Sequence, residues 1–194
     1  MRPQRDHALD WGTLSHAWFE CIGWLEDGEP ADPELERTAR EKELDSPDLP
    51  ALIGRFRESL HKPAVDAALR KATYQQPASA EDVCRVHASA GVKDPQWEVF
   101  RERPFAVADE GGILQGVFDR LVVLRDGSQI IGADVLDYKT DDVGDDPRAI
   151  DARVEHYRPQ LEAYRRAAAQ MLGVSLAMVS ARLLFVGPGV VRAV

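Results

Sequence analysis

The stretch GVFDRLVVLRDGSQIIGADVLDYK, residues 116–139, constrains the fold more than any other part of the chain. It contains two apolar runs separated by Asp126 and Gly127, a dipeptide typical of tight turns, and therefore predicts two strands joined as a hairpin. A carboxylate interrupts each run, Asp119 in the first and Asp137 in the second. A carboxylate inside an apolar strand is unfavourable unless it is paired, hydrogen-bonded or bound to a metal. The stretch therefore predicts a polar site within the sheet.

The second run ends in Asp137-Tyr138-Lys139, an Asp-x-Lys tripeptide. Asp137 and Lys139 are two residues apart, so they project from the same face of a strand. Two carboxylates on neighbouring strands suit a hard divalent cation such as Mg²⁺, and a lysine beside it can position a water or offset phosphate charge. Taken alone, however, such a tripeptide is more often an exposed ion pair at a strand end, because it is common by chance.

The pairing register of the two strands leaves the ligand set open. A simple hairpin loop sets Asp119 opposite Asp134 rather than opposite Asp137. A bulge or a strong twist, for example at Gly132, is needed to bring Asp119 and Asp137 together. Asp134 is therefore an alternative metal ligand at this point.

Four motifs in a fixed order resemble the PD-(D/E)xK nuclease superfamily, and within it the nuclease domain of RecB and AddA helicase-nucleases. They are GTLSH at 12–16, GVFDR at 116–120, DYKT at 137–140 and YRPQLEAY at 157–164. Each motif is weak alone, but the four together, with the last directly behind the Asp-x-Lys tripeptide, are a specific combination. The resemblance covers the N-terminal patch and the chain from about residue 98 onwards, and the middle section matches nothing in it.

The resemblance implies an α/β fold with a restriction-endonuclease-like mixed sheet core, in the order helix, three-strand meander, helix, strand, and with an extra N-terminal helical section. It implies a single nuclease domain over residues 1–194, with a mainly helical section at 1–95 and a sheet-containing catalytic core at 96–194. Domains of this type are usually fused to a helicase, so the chain is expected to belong to a longer helicase-nuclease.

The resemblance also implies an activity and a set of functional residues. The activity is that of a Mg²⁺-dependent deoxyribonuclease, expected to be an exonuclease in DNA end processing, recombination and repair, with Mn²⁺ able to substitute. The implied catalytic residues are Asp119, Asp137, Lys139 and Gln160. The implied metal ligands are His16, Asp119, Asp137 and the backbone carbonyl of Tyr138. The implied DNA contacts are Tyr157 and Tyr164, through stacking or phosphate bonding, and Arg120 and Arg158, through phosphates.

The net charge of −9 has the wrong sign for a stand-alone DNA-binding module, which usually carries a basic patch. Either the acidic residues lie away from the site, or another segment, such as a helicase in the same chain or complex, holds the DNA. The charge also fits an alternative function, a non-catalytic nuclease-like domain that binds DNA or docks on a helicase. The joint presence of Asp119, Asp137 and Lys139 counts against that alternative, because degeneration usually removes at least one.

Cysteine use and hydropathy indicate a cytoplasmic protein. Cys21 and Cys84 are too few and too far apart for a disulfide framework, which points to a reducing compartment. Some relatives in the superfamily carry a four-cysteine iron–sulfur cluster, which this sequence cannot build from its own residues. No apolar run of about 18 residues and no signal-peptide core occur, so no membrane partner is expected.

Periodicity and punctuation predict the elements around the site. Helices are predicted over residues 9–25, 50–69, 80–91 and 149–172, and strands over 96–108, 113–124, 129–139 and 179–186. The last strand is expected to return parallel to the sheet through a right-handed crossover.

Overall fold

A mixed five-stranded sheet with helices on both sides organises the protein, as described by a computed structural model for residues 7–44, 47–75, 92–109, 111–141 and 143–194. The helices are α1 (His7–Glu20), α2 (Asp32–Glu41), α3 (Leu49–Leu60), α4 (Pro63–Leu69), α5 (Lys71–Gln75) and α6 (Pro147–Leu172). The strands are β1 (Pro95–Asp109), β2 (Gly112–Asp126), β3 (Gln129–Lys139), β4 (Val179–Phe185) and β5 (Val190–Ala193). The predicted α/β class and mixed sheet are confirmed.

The strands are arranged in chain order, β1-β2-β3-β4-β5, and every neighbouring pair is antiparallel except β3 and β4. A parallel pair needs a crossover connection, and α6 supplies it between these two strands. The predicted parallel return of the last strand is confirmed for β4. The short strand β5, which was not predicted, then adds to β4 as an antiparallel edge.

Helix α6 has clear end signals in its sequence. The Asp146 side chain accepts a hydrogen bond from the Arg148 N–H at 3.1 Å, and Pro147 occupies the first helical position, where its missing N–H is not needed. Gly173 ends the helix in the left-handed conformation at φ +67°. The long helix predicted over 149–172 is therefore present, and it begins two residues earlier, at Pro147.

Two hydrophobic layers enclose the centre of the sheet. The N-terminal helices pack on one face, where Leu14 and Phe19 of α1 share a cluster with Leu136 and Tyr138. Helix α6 packs on the other face, with its buried side chains in a cluster that includes Val135. Strand β3 is thus buried on both faces, and its successive side chains enter opposite layers. Asp137 and Lys139 share the α6 side with Val135, whereas Tyr138 faces α1.

Some helix predictions differ from the structure. The helix predicted over 50–69 is divided in two, because Pro63 lacks the N–H that would continue α3 and instead starts α4. The first helix ends at Glu20, and a 3-10 turn at Leu25–Asp27 follows it. The helix predicted over 80–91 lies outside the described residues. Among those that are described, no helix is both long and apolar enough to cross a membrane.

The hairpin between β2 and β3 is tighter than the simple loop predicted from sequence. Asp126 pairs with Gln129, which leaves a two-residue turn with Gly127 at φ +57°. Further along, Arg125 pairs with Ile130 but the next pair is Leu124 with Gly132, so one residue is bulged out. The short turn and the bulge both shift the register in the same direction.

The shifted register resolves which aspartates are neighbours. Arg120 pairs with Leu136, so the next positions along the two strands bring Asp119 opposite Asp137. The simple pairing of Asp119 with Asp134 is wrong, and the bulge that was needed lies next to the expected Gly132.

Candidate metal and catalytic site

Strand β1 is irregular at Glu102. Phe100 and Phe105 both pack in the cluster on the α6 side, although residues an odd number apart in a regular strand face opposite sides. Glu102 lies between them at φ +47°, a backbone conformation that residues other than glycine rarely adopt. The alternation of β1 side chains between the two faces of the sheet is therefore interrupted at Glu102.

In strand β2 the alternation of side chains is interrupted at the facing position, Asp119. Phe118 and Leu121 both pack on the α6 side, again an odd number of residues apart. Arg101 pairs with Arg120 on one side of the irregularity and Arg103 with Phe118 on the other, so Asp119 faces Glu102. Glu102 and Asp119 thus lie opposite each other at the point where the alternation of side chains is interrupted in both strands.

Helix α1 brings His16 to these carboxylates. Its buried side chains Leu14 and Trp18 fix the helix against the sheet. His16 Nδ1 then lies 3.6 Å from Asp119 Oδ2, and its ring packs edge-on against Tyr138 with centroids 5.9 Å apart. Gly12, one turn earlier, allows the close approach, since a Cβ there would lie 3.2 Å from Thr140 Oγ1.

His16, Glu102 and Asp119 form a cluster of three potential ligands. One ligand atom from each lies within 4.8 Å of the other two. Nitrogen and carboxylate oxygen donors at such spacing suit a divalent cation. Asp137 does not join this group within the same distance, although its position on the neighbouring strand is adjacent. Glu102 was not predicted as a site residue, because one carboxylate in an alternating strand gives no signal that distinguishes it from a solvated one.

Asp119 is held from behind by the backbone of β3. Its Oδ2 accepts a hydrogen bond from the Tyr138 N–H at 2.7 Å. Tyr138 therefore contributes its N–H to positioning Asp119, and its carbonyl remains a predicted ligand. The Tyr138 ring is buried against Phe19, with centroids 4.5 Å apart.

Asp137 and Lys139 form a second polar pair on the α6 side. Asp137 is 3% exposed, and its Oδ2 lies 2.7 Å from Lys139 Nζ. The Lys139 ammonium compensates the charge of this buried oxygen, although no regularly oriented hydrogen bond reaches it from the described residues. A buried carboxylate oxygen with unused lone pairs is the kind of atom that a cation would complete.

Helix α6 holds the ammonium group of Lys139 in place. Lys139 Nζ donates to Gln160 Oε1 at 3.3 Å and lies 4.0 Å from the centre of the Tyr157 ring. Gln160 Nε2 donates in turn to the Tyr164 hydroxyl at 3.1 Å. Three of the predicted α6 residues are thus brought to Lys139, directly or through one partner.

The charges at the site shift two pKa values. Burial, followed by the charge of Asp119, raises the pKa of Asp137 to about 6 against the opposing effect of Lys139. Burial lowers the pKa of His16, but the contact with Asp119 and the surrounding acidic charge outweigh it, so this pKa lies above its usual value. Burial is therefore the largest cause of the Asp137 pKa shift, whereas the neighbouring carboxylates cause the His16 pKa shift.

Tyr157 is tied to the loop that follows β3. Its hydroxyl donates to Asp141 Oδ2 at 2.7 Å. Burial and this hydrogen bond raise the pKa of Tyr157 to about 12. The ring of Tyr157 lies under Lys139 while its hydroxyl points to the loop, so the ring links the two.

Three residues considered from the sequence lie outside the site: Asp134, Arg158 and Arg120. Asp134 is fully buried and bound by Arg182 at 2.6 Å, by Ser180 and by Tyr74, so its assignment as an alternative metal ligand is wrong. Arg158 lies on the outer surface of α6 in an ion pair with Glu155 at 2.7 Å.

Arg120 is also fully buried, where it donates to the Ile22 carbonyl at 3.0 Å and to the Gly23 carbonyl at 2.6 Å. The predicted phosphate contact of Arg120 is therefore wrong, because its guanidinium joins the end of the first helical segment to the sheet.

Comparison with known proteins gave no match to this chain, either among protein-family models or among curated proteins.

Proposed function

We propose that the protein is a metal-dependent DNA nuclease of the PD-(D/E)xK superfamily, similar to the RecB-type nuclease domain, that hydrolyses phosphodiester bonds. The observation that carries the proposal is that residues from four separate elements lie around the paired strand positions of Asp119 and Asp137. Asp119 and Asp137 come from paired strands, His16 comes from α1 and Gln160 from α6. The order of helix, three-strand meander, helix and strand supports the restriction-endonuclease-like core that such an enzyme would have.

The residues present fit a divalent cation. His16, Asp119 and Asp137, with the carbonyl of Tyr138, would hold it, and Glu102 extends this set because its carboxylate lies in the same cluster. Burial, followed by the charge of Asp119, raises the pKa of Asp137, and a bound cation would favour the ionised carboxylate against both effects. When bound, the ion would supply Lewis-acid polarisation of the scissile phosphate and a lower pKa for an attacking water.

Lys139 is positioned to act in the chemical step. Its side chain is 14% exposed and its ammonium group is fixed by Asp137, Gln160 and the Tyr157 ring. A fixed ammonium can hold the attacking water by hydrogen bonding and stabilise negative charge that develops on the phosphate. Gln160 keeps Lys139 in this orientation, and Tyr164 in turn keeps Gln160 in place.

The acidic net charge supports the proposal that a partner holds the DNA while this chain cuts it. A chain of net charge −9 repels DNA at long range, so strong autonomous DNA affinity is not expected. A linked helicase that holds the DNA would deliver the strand to the site. The same charge favours the second candidate, a non-catalytic helicase-docking domain, but that function gives no reason for a buried Asp137 paired with Lys139 next to Asp119.

The test combines metal binding with cleavage. Calorimetry with Mg²⁺ and Mn²⁺ should detect binding to the wild type that is strongly weakened in Asp119→Ala and Asp137→Ala. Lys139→Ala should still bind the metal, since it removes a repelling charge, but should lose activity by about 10²-fold or more in a time course on linear single- and double-stranded DNA. Lys93→Ala, which removes an exposed lysine outside the site, is the matched control and should cleave like the wild type.

The results separate the two candidates. Equal cleavage by wild type and Lys139→Ala would remove the catalytic role of Lys139. Metal binding without any cleavage by the wild type, even when it is fused to a helicase, would favour the non-catalytic domain. Undiminished metal binding in both aspartate variants would remove the metal site itself.

A further inference from the structure

A cavity of about 520 Å³ that is widely open to solvent lies along the first turns of α6, beside the candidate site. It is lined by Val143, Ala149, Ala152, Arg153 and His156. Its volume is within the range of pockets that bind small ligands, which extends from about 300 to about 1,000 Å³. No residue of this lining belongs to the metal or catalytic residues described above.

A chain of contacts joins the cavity to Lys139. Arg153 Nε lies 4.0 Å from Asp141 Oδ2, the same oxygen that accepts the hydrogen bond from the Tyr157 hydroxyl at 2.7 Å. The Tyr157 ring in turn lies 4.0 Å from Lys139 Nζ. The negative charge of Asp141 is therefore engaged on both sides, which lessens its repulsion of an anion in the cavity.

The helix fixes the distance between the cavity and the catalytic residues. Arg153 precedes Gln160 by seven residues, or two turns of α6, so the two lie on the same side of the helix about 10 Å apart along its axis. A DNA strand that presents one phosphate to Lys139 would therefore place a neighbouring nucleotide at the cavity.

The lining combines small apolar side chains with two side chains that can donate hydrogen bonds. Val143, Ala149 and Ala152 offer small apolar surfaces, against which a sugar or base can lie. Arg153 offers a planar set of donors that matches a phosphate, and the His156 ring offers a further donor. Small apolar side chains together with two donor-bearing ones suit a nucleotide, which has an apolar base and sugar and an anionic phosphate.

We propose that this cavity binds the terminal nucleotide of the DNA strand being cut, with Arg153 and His156 on its end phosphate and the three apolar residues against its sugar and base. The scissile phosphate at Lys139 stays on the remaining strand, so the released product is a nucleoside monophosphate. The proposal rests on the proposed nuclease function and deepens it, because a subsite for one terminal nucleotide makes the enzyme release mononucleotides from an end. A nucleoside monophosphate should then bind the protein without a DNA chain attached.

The experiment measures binding of thymidine monophosphate to the full chain carrying Lys139→Ala, so that chemistry does not interfere. Arg153→Ala should weaken binding on the order of tenfold or more, as expected for loss of a charge-assisted hydrogen bond. Ala152→Phe, which fills the cavity and leaves its charges unchanged, should weaken binding to a similar extent. Arg166→Ala, at an exposed arginine near the other end of α6, is the control and should bind like the parent protein.

Two further comparisons keep the subsite separate from simple anion binding and from the nuclease function. Thymidine and inorganic phosphate should each bind more weakly than thymidine monophosphate, and phosphate binding as tight as the nucleotide would overturn the nucleotide assignment. In the otherwise unmodified chain, Arg153→Ala should lower the fraction of mononucleotide products while cleavage continues. The subsite alone would be overturned if the wild type cleaves DNA but the nucleotide does not bind, or binds equally well to Arg153→Ala and Ala152→Phe.

The nuclease function alone would be overturned if both variants lose nucleotide binding but the wild type does not cleave DNA.

Discussion

At the scale of single residues, Asp137 combines burial with unfavourable charge. It is 3% exposed, lies near Asp119, and is paired with Lys139. A side chain chosen for stability alone at this position would be apolar or fully hydrogen-bonded. The conflict between local stability and the residue present is typical of functional sites.

This conflict predicts a pH dependence of stability. The pKa of Asp137 in the folded protein is raised from 3.8 to about 6, so the metal-free folded state holds its proton more tightly than the unfolded chain. Ionisation of Asp137 therefore lowers the free energy of unfolding as pH rises between about 4 and about 6, by at most roughly 3 kcal/mol. Asp137→Asn, which mimics the protonated form, should gain stability relative to the wild type across this interval.

The measurement is urea denaturation of both proteins in the presence of a chelator, at several pH values from 4 to 8. The difference in free energy of unfolding should grow from about pH 4 to about pH 6 and then stay constant. A difference that does not change with pH would show that Asp137 ionises in the folded protein as it does in the unfolded chain.

At the scale of elements, the sequence predicted the strands but not their register. The apolar runs and the Asp126-Gly127 turn located β2 and β3 correctly, because those signals are local. The ligand choice between Asp134 and Asp137 depended on a tighter turn and a bulged residue, which small differences in packing decide. Arg182, which binds Asp134, is on β4 and carries no local signal of that contact.

The paired irregularity of β1 and β2 was beyond prediction for the same reason, and it leads to a test at this scale. Glu102 has φ +47°, a conformation that is unfavourable by roughly 1–2 kcal/mol for a residue with a Cβ. Glu102→Ala and Glu102→Gly both remove the carboxylate, so both should weaken metal binding. Only glycine relieves the backbone strain, so Glu102→Gly should be the more stable variant by about 1 kcal/mol.

Thermal unfolding and metal titration of the two variants check this prediction. Equal stability of the alanine and glycine variants would show that the strand break carries no backbone strain. Unaltered metal affinity in both would remove Glu102 from the ligand cluster and leave His16 and Asp119.

At the scale of the whole molecule, contacts distant in sequence join the helical section to the sheet. Tyr74 of α5 donates to Asp134 at 3.0 Å, and Arg120 of β2 binds carbonyls just after α1. The spacing of apolar residues predicted the helix carrying His16, and the resemblance in four short motifs implied that Gln160 lies behind Lys139. The buried polar contacts could not be predicted, since their partners are far apart in the chain and follow no periodic pattern.

The net charge of the molecule leads to the last prediction. Because the chain carries −9, DNA should associate weakly with it, whereas the fixed geometry around Lys139 should act normally once a strand is bound. A fused DNA-binding module raises the local DNA concentration without touching the site, so the fusion should lower KM by roughly tenfold or more and leave kcat nearly unchanged. Steady-state kinetics of the isolated chain, the fusion, and a fusion whose module cannot bind DNA measure this. If the fusion instead raises kcat and leaves KM unchanged, the module acts on the geometry of the site, and weak association does not limit the isolated chain.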